Sequence, residues 1–198
     1  MSVKAYEFYY TEFKGWRARE VKLAIIGECM IELSNSDSEL YKLNYGGDTL
    51  NTAIYLSRCG GDVEYVTALG DDSFSSKMLS LWQEEGVGVK HVKILENNVP
   101  GLYLIENEPN GERHFHYWRS NSPAKYLLDK FPETLDEIKD YDAIFLSGIT
   151  LSIYSESSRK ALYDFLSEFR MRGGKVIFDN NYRPRNWSSL SEASKAFN

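Results

Sequence analysis

The feature that most constrains the fold is the recurrence of short, nearly continuous apolar runs. Val21-Lys22-Leu23-Ala24-Ile25-Ile26-Gly27 is nearly continuous, the pattern of a strand buried on both faces, Asp142-Ala-Ile-Phe-Leu-Ser147 reads as a buried strand, and Lys175-Val-Ile-Phe-Asp179 as the next strand. Segments of helical spacing stand among them. Asp48 to Arg58 places Leu50, Ala53, Ile54 and Ser57 on one face. Ser73 to Glu85 does the same with Phe74, Met78, Leu81 and Trp82, and Ser155 to Arg172 with Leu162, Phe165, Leu166 and Phe169. Gly86 and Gly173-Gly174 follow the last two as stop signals, and Ser155 stands where an N-cap belongs. Asp62 to Leu69 supplies a further strand. Strands and helices alternating at this spacing make right-handed crossovers onto a parallel sheet with helices on both faces, an α/β fold.

One stretch departs from this rhythm. Val99 to Tyr117 reads as two strands around Pro109-Asn110-Gly111, and Asn-Gly favours a hairpin because both turn residues take positive φ. A small antiparallel β flap, or lid, is therefore expected at about residues 99–119. Residues 1–20, rich in aromatics and charges, establish neither strand nor helix period and are expected to form a poorly ordered extension before a folded region at 21–198. At the other end, Ser189-Leu-Ser-Glu192 has the S-x-x-E form of a capping box, so a helix is expected there. No strand follows it before Asn198, and the expected fold is one whose C-terminal part is missing.

A net charge of −6 disfavours a nucleic-acid or anionic-membrane partner, since both require a basic face. Cys29 and Cys59 have neither the spacing nor the further ligands of a metal site, and a reducing cytosol accommodates them. The first residues lack a signal-peptide pattern, and no window approaches the roughly 18 apolar residues of a membrane span. A soluble, cytoplasmic protein acting on a small molecule is the expectation.

Several segments carry chemistry. Gly46-Gly47-Asp48-Thr49-Leu50-Asn51 is a glycine pair opening a helix, where backbone N–H groups can approach a ligand closely. Glu32 stands near the exit of the first strand. Tyr103 and Tyr117-Trp118-Arg119 lie on or just after the flap strands, and a guanidinium holds a carboxylate through two parallel hydrogen bonds. Asp179-Asn180-Asn181-Tyr182-Arg183-Pro184 follows a parallel strand, where ligands of open α/β sheets collect. Each also has a plainer reading: a turn before a helix, a polar strand end, a surface arginine with packing aromatics, a loop. His114 and His116 alternate along a strand and share a face, but two ligands do not make a metal site.

Together with the Gly70-Asp71-Asp72-Ser73-Phe74 turn, these segments resemble, in order, the signatures of the ribokinase-like (PfkB) carbohydrate kinases, and most closely their ketodeoxygluconate kinase branch. The resemblance spans residues 21–198, about the N-terminal two-thirds of such a kinase. It implies a ribokinase-like domain using ATP and Mg²⁺ to phosphorylate the 6-hydroxyl of 2-keto-3-deoxygluconate. It implies sugar-acid contacts at Gly46, Gly47, Asp48, Asn51, Tyr103, Tyr117, Arg119, Arg183 and Glu32, with Asp179 and Asn181 towards the phosphates and metal. Homo-oligomers formed through the flap are a further implication. The family's catalytic base lies in a C-terminal Gly-Ala-Gly-Asp segment that this sequence does not contain, so the base is expected beyond Asn198 and this chain to be inactive by itself. Another sugar kinase of the family, such as a fructokinase, and a non-catalytic sugar-binding or interaction fragment are the alternatives.

Overall fold

A computed structural model describes residues 21–35, 40–108 and 111–197. The extension expected at 1–20 and the turn residues Pro109 and Asn110 lie outside the described residues. The chain opens with β1 (Lys22–Ile26), β2 (Met30–Ser34), β3 (Lys42–Gly46) and helix α1 (Asp48–Arg58). There follow β4 (Asp62–Leu69), α2 (Ser73–Glu84), β5 (Val92–Ile94) and the flap strands β6 (Leu102–Asn107) and β7 (Arg113–Trp118). After short helical turns come β8 (Ala143–Ser147), α3 (Gly148–Ile153), α4 (Glu156–Met171), β9 (Lys175–Asp179) and α5 (Leu190–Phe197). The expected helices and parallel strands thus form within a residue or two of their sequence bounds, and the first flap strand begins three residues after Val99.

Strands β5-β4-β1-β8-β9, in that spatial order, make an all-parallel sheet. The continuous apolar runs of β1 and β8 have the reason expected of them, whereas β9 forms a sheet edge and leaves Ile177 and Phe178 exposed. Ala24 and Ile26 of β1 enter one core with Val66, Ile144 and Leu146, while Leu23 and Ile25 enter the core on the opposite face with Val63, Tyr65 and Trp82. Each fully buried aliphatic side chain contributes about 1.5–3 kcal/mol of transfer free energy. Asp72 caps α2 by accepting the Phe74 and Ser75 N–H groups, and Gly86 beyond its end takes φ +75°, a conformation that favours glycine.

The flap is larger than the sequence pattern indicated. Four strands in the order β3-β2-β6-β7 form a second sheet, with β2 parallel to β6 and the other pairs antiparallel. The hairpin β6–β7 was legible because its turn is local. Strands β2 and β3 were not, because β2 gains its partner β6 only from a distant stretch of chain, and no local signal encodes that pairing. At the C-terminal end, the Ser189 hydroxyl accepts the Glu192 N–H as a capping box requires, but the Glu192 carboxylate returns to the Ser188 N–H and hydroxyl, one residue earlier than the pattern predicts.

Candidate active site at the sheet switch point

Strand β1 lies mid-sheet, with β4 on one side and β8 on the other, so successive connections leave it in opposite directions. Such reversal points leave a crevice beyond the strand C-termini where ligands bind. Ser147 and Thr150 form a reciprocal capping box there, and the Thr150 hydroxyl donates to the Ile26 carbonyl at 3.0 Å, tying the exit of β8 to that of β1. The four-stranded sheet closes over this crevice. Between them lies a pocket of about 300 Å³.

Most of the residues expected from the sequence converge on this pocket. Gly46, Gly47, Asp48 and Asn51 line it from the start of α1, Tyr103, Tyr117 and Arg119 from the lid, and Asn181 and Arg183 from the loop after β9. The glycine pair is required by the chain's own packing. A Cβ on Gly46 would stand 2.4 Å from the Tyr103 hydroxyl, and one on Gly47 would stand 2.1 Å from the Glu28 carbonyl oxygen. Asp48 accepts a 2.8 Å hydrogen bond from the Asn181 side chain, which joins the first turn of α1 to the exit of β9. Asn181 reaches that position with φ +27°, a region asparagine tolerates better than most residues, while its N–H donates to the Asp179 carboxylate.

Two expected residues do not line the pocket. Glu32 sits on β2 opposite Tyr103 and accepts the Tyr103 hydroxyl. Burial and then the Glu32 carboxylate push the Tyr103 phenol far above its ordinary range, keeping it a neutral hydrogen-bond donor. Asp179 is exposed and holds the loop.

Other lining residues escaped sequence reasoning. Arg185, two positions beyond Arg183, stacks its guanidinium 4.0 Å from the Tyr117 ring centroid and donates to the Tyr117 hydroxyl. Met30, Phe115, Ile149 and Asn186 complete the wall. Glu28 is the largest omission: its carboxylate is buried beside the pocket and accepts a hydrogen bond from Arg119. Burial raises the Glu28 carboxyl above its ordinary value, and the Arg119 guanidinium is the chief opposing influence. A glutamate two residues beyond a doubly buried strand, at the crevice end of the sheet, was the available signal. Tyr103 and Tyr117 stack with ring centroids 5.8 Å apart, giving the lid an aromatic inner surface.

Arg119, Arg183 and Arg185 thus face a small pocket that also presents hydroxyl and amide groups, while Glu28 and Asp48 each already bond a protein group. Such a site suits a small anion bearing hydroxyls. Among the described residues no group of three or more His, Cys, Asp or Glu could hold a metal ion, and His114 and His116 instead face Glu108 and Glu106 at the exposed lid surface.

Residues 21–198 match the pfkB family carbohydrate kinase model. The 2-dehydro-3-deoxygluconokinase of Dickeya dadantii is 50% identical over 181 residues, which cover 88% of this chain and 58% of that protein. The enzyme of the same name from Escherichia coli K12 is 47% identical over 182 residues, 89% of this chain and 59% of its own length. The crystal structure of 2-dehydro-3-deoxygluconokinase from Thermotoga maritima superposes with a TM-score of 0.77 at 25% identity, covering 89% of this chain and 56% of that one. The chain therefore spans somewhat more than half the length of these relatives. With the parallel sheet, the lid and the switch-point pocket in place, the match across the whole described region means that this chain belongs to the pfkB family of carbohydrate kinases.

Proposed function

We propose that this chain forms the sugar-acid side of a kinase that transfers the γ-phosphoryl group of ATP to the 6-hydroxyl of 2-keto-3-deoxygluconate. The observation that carries the reading is the convergence of Arg119, Arg183 and Arg185 with Tyr103 and Tyr117 on one small pocket beneath the lid. A planar guanidinium fork suits the substrate carboxylate, and neutral phenols suit its hydroxyls. The relatives named 2-dehydro-3-deoxygluconokinase at 47–50% identity support the same substrate.

ATP and Mg²⁺ enter this reading through the family. The described residues hold no ready cluster of metal ligands, and Asp179 contributes one exposed carboxylate, so they do not compose a metal site. Their work is to bind and orient the sugar acid under the lid. The 198-residue sequence contains no Gly-Ala-Gly-Asp segment, and we expect these residues alone to bind the sugar acid without turning it over.

Isothermal titration of the chain with 2-keto-3-deoxygluconate, alongside gluconate and fructose, tests the reading. Preferential binding of the keto sugar acid supports it; tighter binding of fructose would move the assignment to a neutral sugar. An ADP-release assay with Mg-ATP tests the second expectation, and turnover by these residues would refute it. Self-association through the lid belongs to the same proposal. Its outer face exposes Leu43 and Trp118, at 40% and 60% of their surface, and light scattering of a Trp118→Glu variant reports on that contact. A cytoplasmic setting accords with the unpaired Cys29 and Cys59.

A further inference from the structure

The pairing of Glu28 with Arg119 is expensive as a fold-stabilising device. The Glu28 carboxylate is 2% exposed and the Arg119 side chain 17%, and removing two charges from water costs about as much as their attraction returns. A well-packed apolar pair would hold the fold as firmly. The pair is also incompletely satisfied: Glu28 Oε1 and Arg119 Nε are buried without hydrogen-bond partners.

The surroundings of Arg119 supply a reason. Its side chain lines the sugar-acid pocket and also an adjoining cavity of about 490 Å³, walled by Lys125, Asp129 and Tyr154. That cavity offers a long, flexible side chain room, and its wall carries the Asp129 carboxylate, whose Oδ1 already accepts the Ser155 and Ser158 hydroxyls. Glu28 stands on the pocket side, with its carboxylate on Arg119 Nη2. Its own backbone is held by packing: it lies two residues beyond β1, and its carbonyl oxygen lies against Gly47 at the start of α1.

We propose that Glu28 is a positioning residue, which fixes the Arg119 guanidinium at the sugar-acid pocket and keeps it out of the cavity behind. The inference rests on the sugar-acid reading of the pocket. By neutralising one Arg119 N–H bearing edge, Glu28 presents the remaining donors in a fixed plane, so a ligand carboxylate or keto oxygen meets a guanidinium whose rotamer entropy has already been spent.

Two measurements on the 198-residue protein test this. The first is a double-mutant cycle of Glu28→Gln and Arg119→Lys, read by titration with 2-keto-3-deoxygluconate. Glu28→Gln, with nearly the same shape, lowers affinity about ten-fold or more in the parent and less than about two-fold when Arg119 is already lysine, since a charge-assisted hydrogen bond is involved. An equal loss in both backgrounds, or none, overturns the proposal. The second is the Arg119 Nε–H nuclear magnetic resonance signal, assigned by its disappearance in Arg119→Lys. It is resolved and slowly exchanging in the parent and merges with the mobile arginines in Glu28→Gln; an unchanged signal overturns the proposal. Should the parent chain not bind the sugar acid, the functional reading falls and the Nε–H signal alone decides the positioning claim. Should Glu28→Gln fail to fold, Glu28→Asp, one methylene shorter, is expected to lose the same signal, and its retention overturns the proposal.

Discussion

Replacing Gly47 by alanine probes the joint on which fold and pocket both depend. Gly47 has φ −178°, an extended conformation open to any residue, so the constraint is space and not backbone angle. A Cβ there would lie 2.1 Å from the Glu28 carbonyl oxygen and 3.3 Å from the Cys29 Cα. Cβ atoms essentially never approach another heavy atom closer than 3.0 Å, so α1 and the β1 exit must part by nearly an ångström. Both sides are backbone and neither can rotate away. Overpacking of this kind costs about 1–3 kcal/mol, which in a domain of this size lowers Tm by about 2–12 °C. The same displacement moves Glu28, and with it Arg119, so sugar-acid affinity should fall together with stability. Differential scanning calorimetry and titration with 2-keto-3-deoxygluconate measure the two effects. Gly60→Ala is the comparison: Gly60 takes φ +87° with nothing within 4 Å of its Cβ position, so its cost of about 1–2 kcal/mol is conformational and leaves affinity unchanged. A Gly47→Ala protein that melts within a degree of the parent and binds normally would refute the reasoning.

Arg119→Lys retains the charge but loses the planar fork, so affinity for the sugar acid should fall about 10- to 100-fold, as read by titration. Ile144→Ala, at a fully buried position on the interior strand β8, should cost about 2–5 kcal/mol in urea unfolding. Thr150→Val leaves the Ile26 carbonyl and the Ser147 N–H without their side-chain partner and should cost about 1–3 kcal/mol in the same assay. The Lys93 ammonium, and after it His91, hold the Glu137 carboxyl below its ordinary value of 4.5. A carboxyl lowered in the folded state contributes stability above its unfolded value and loses it as pH falls through the folded one. Urea midpoints measured from neutral to acid pH should therefore fall less steeply in Glu137→Gln than in the parent.

The sequence by itself determined the layered core. The runs at Leu23–Ile26 and Ala143–Leu146 read as buried strands because each contributes side chains to both faces of a parallel sheet, and local composition records that demand directly. Helix ends were equally legible at Asp72, Gly86 and Ser155, since caps are satisfied by residues a few positions away. The glycine pair, Tyr103, Tyr117, Arg119 and Arg183 were singled out through motif resemblance and line one pocket, although the reason for the glycines was not legible: the Glu28 carbonyl and the Tyr103 hydroxyl that exclude a Cβ come from other elements.

What only the tertiary structure decided depends on distant pairing. Glu32, expected as a sugar contact from the resemblance alone, accepts the Tyr103 hydroxyl, because β2 lies parallel to β6. Strands β2 and β3 became half of the lid for the same reason. Arg185 joined the pocket through its stacking on Tyr117, and Glu28 through its pairing with Arg119, 91 residues away. Hydrophobic period and capping chemistry act over a few residues and are written into the chain locally. Which carboxylate meets which guanidinium depends on how two sheets close over one crevice, and that is settled only when the layers pack.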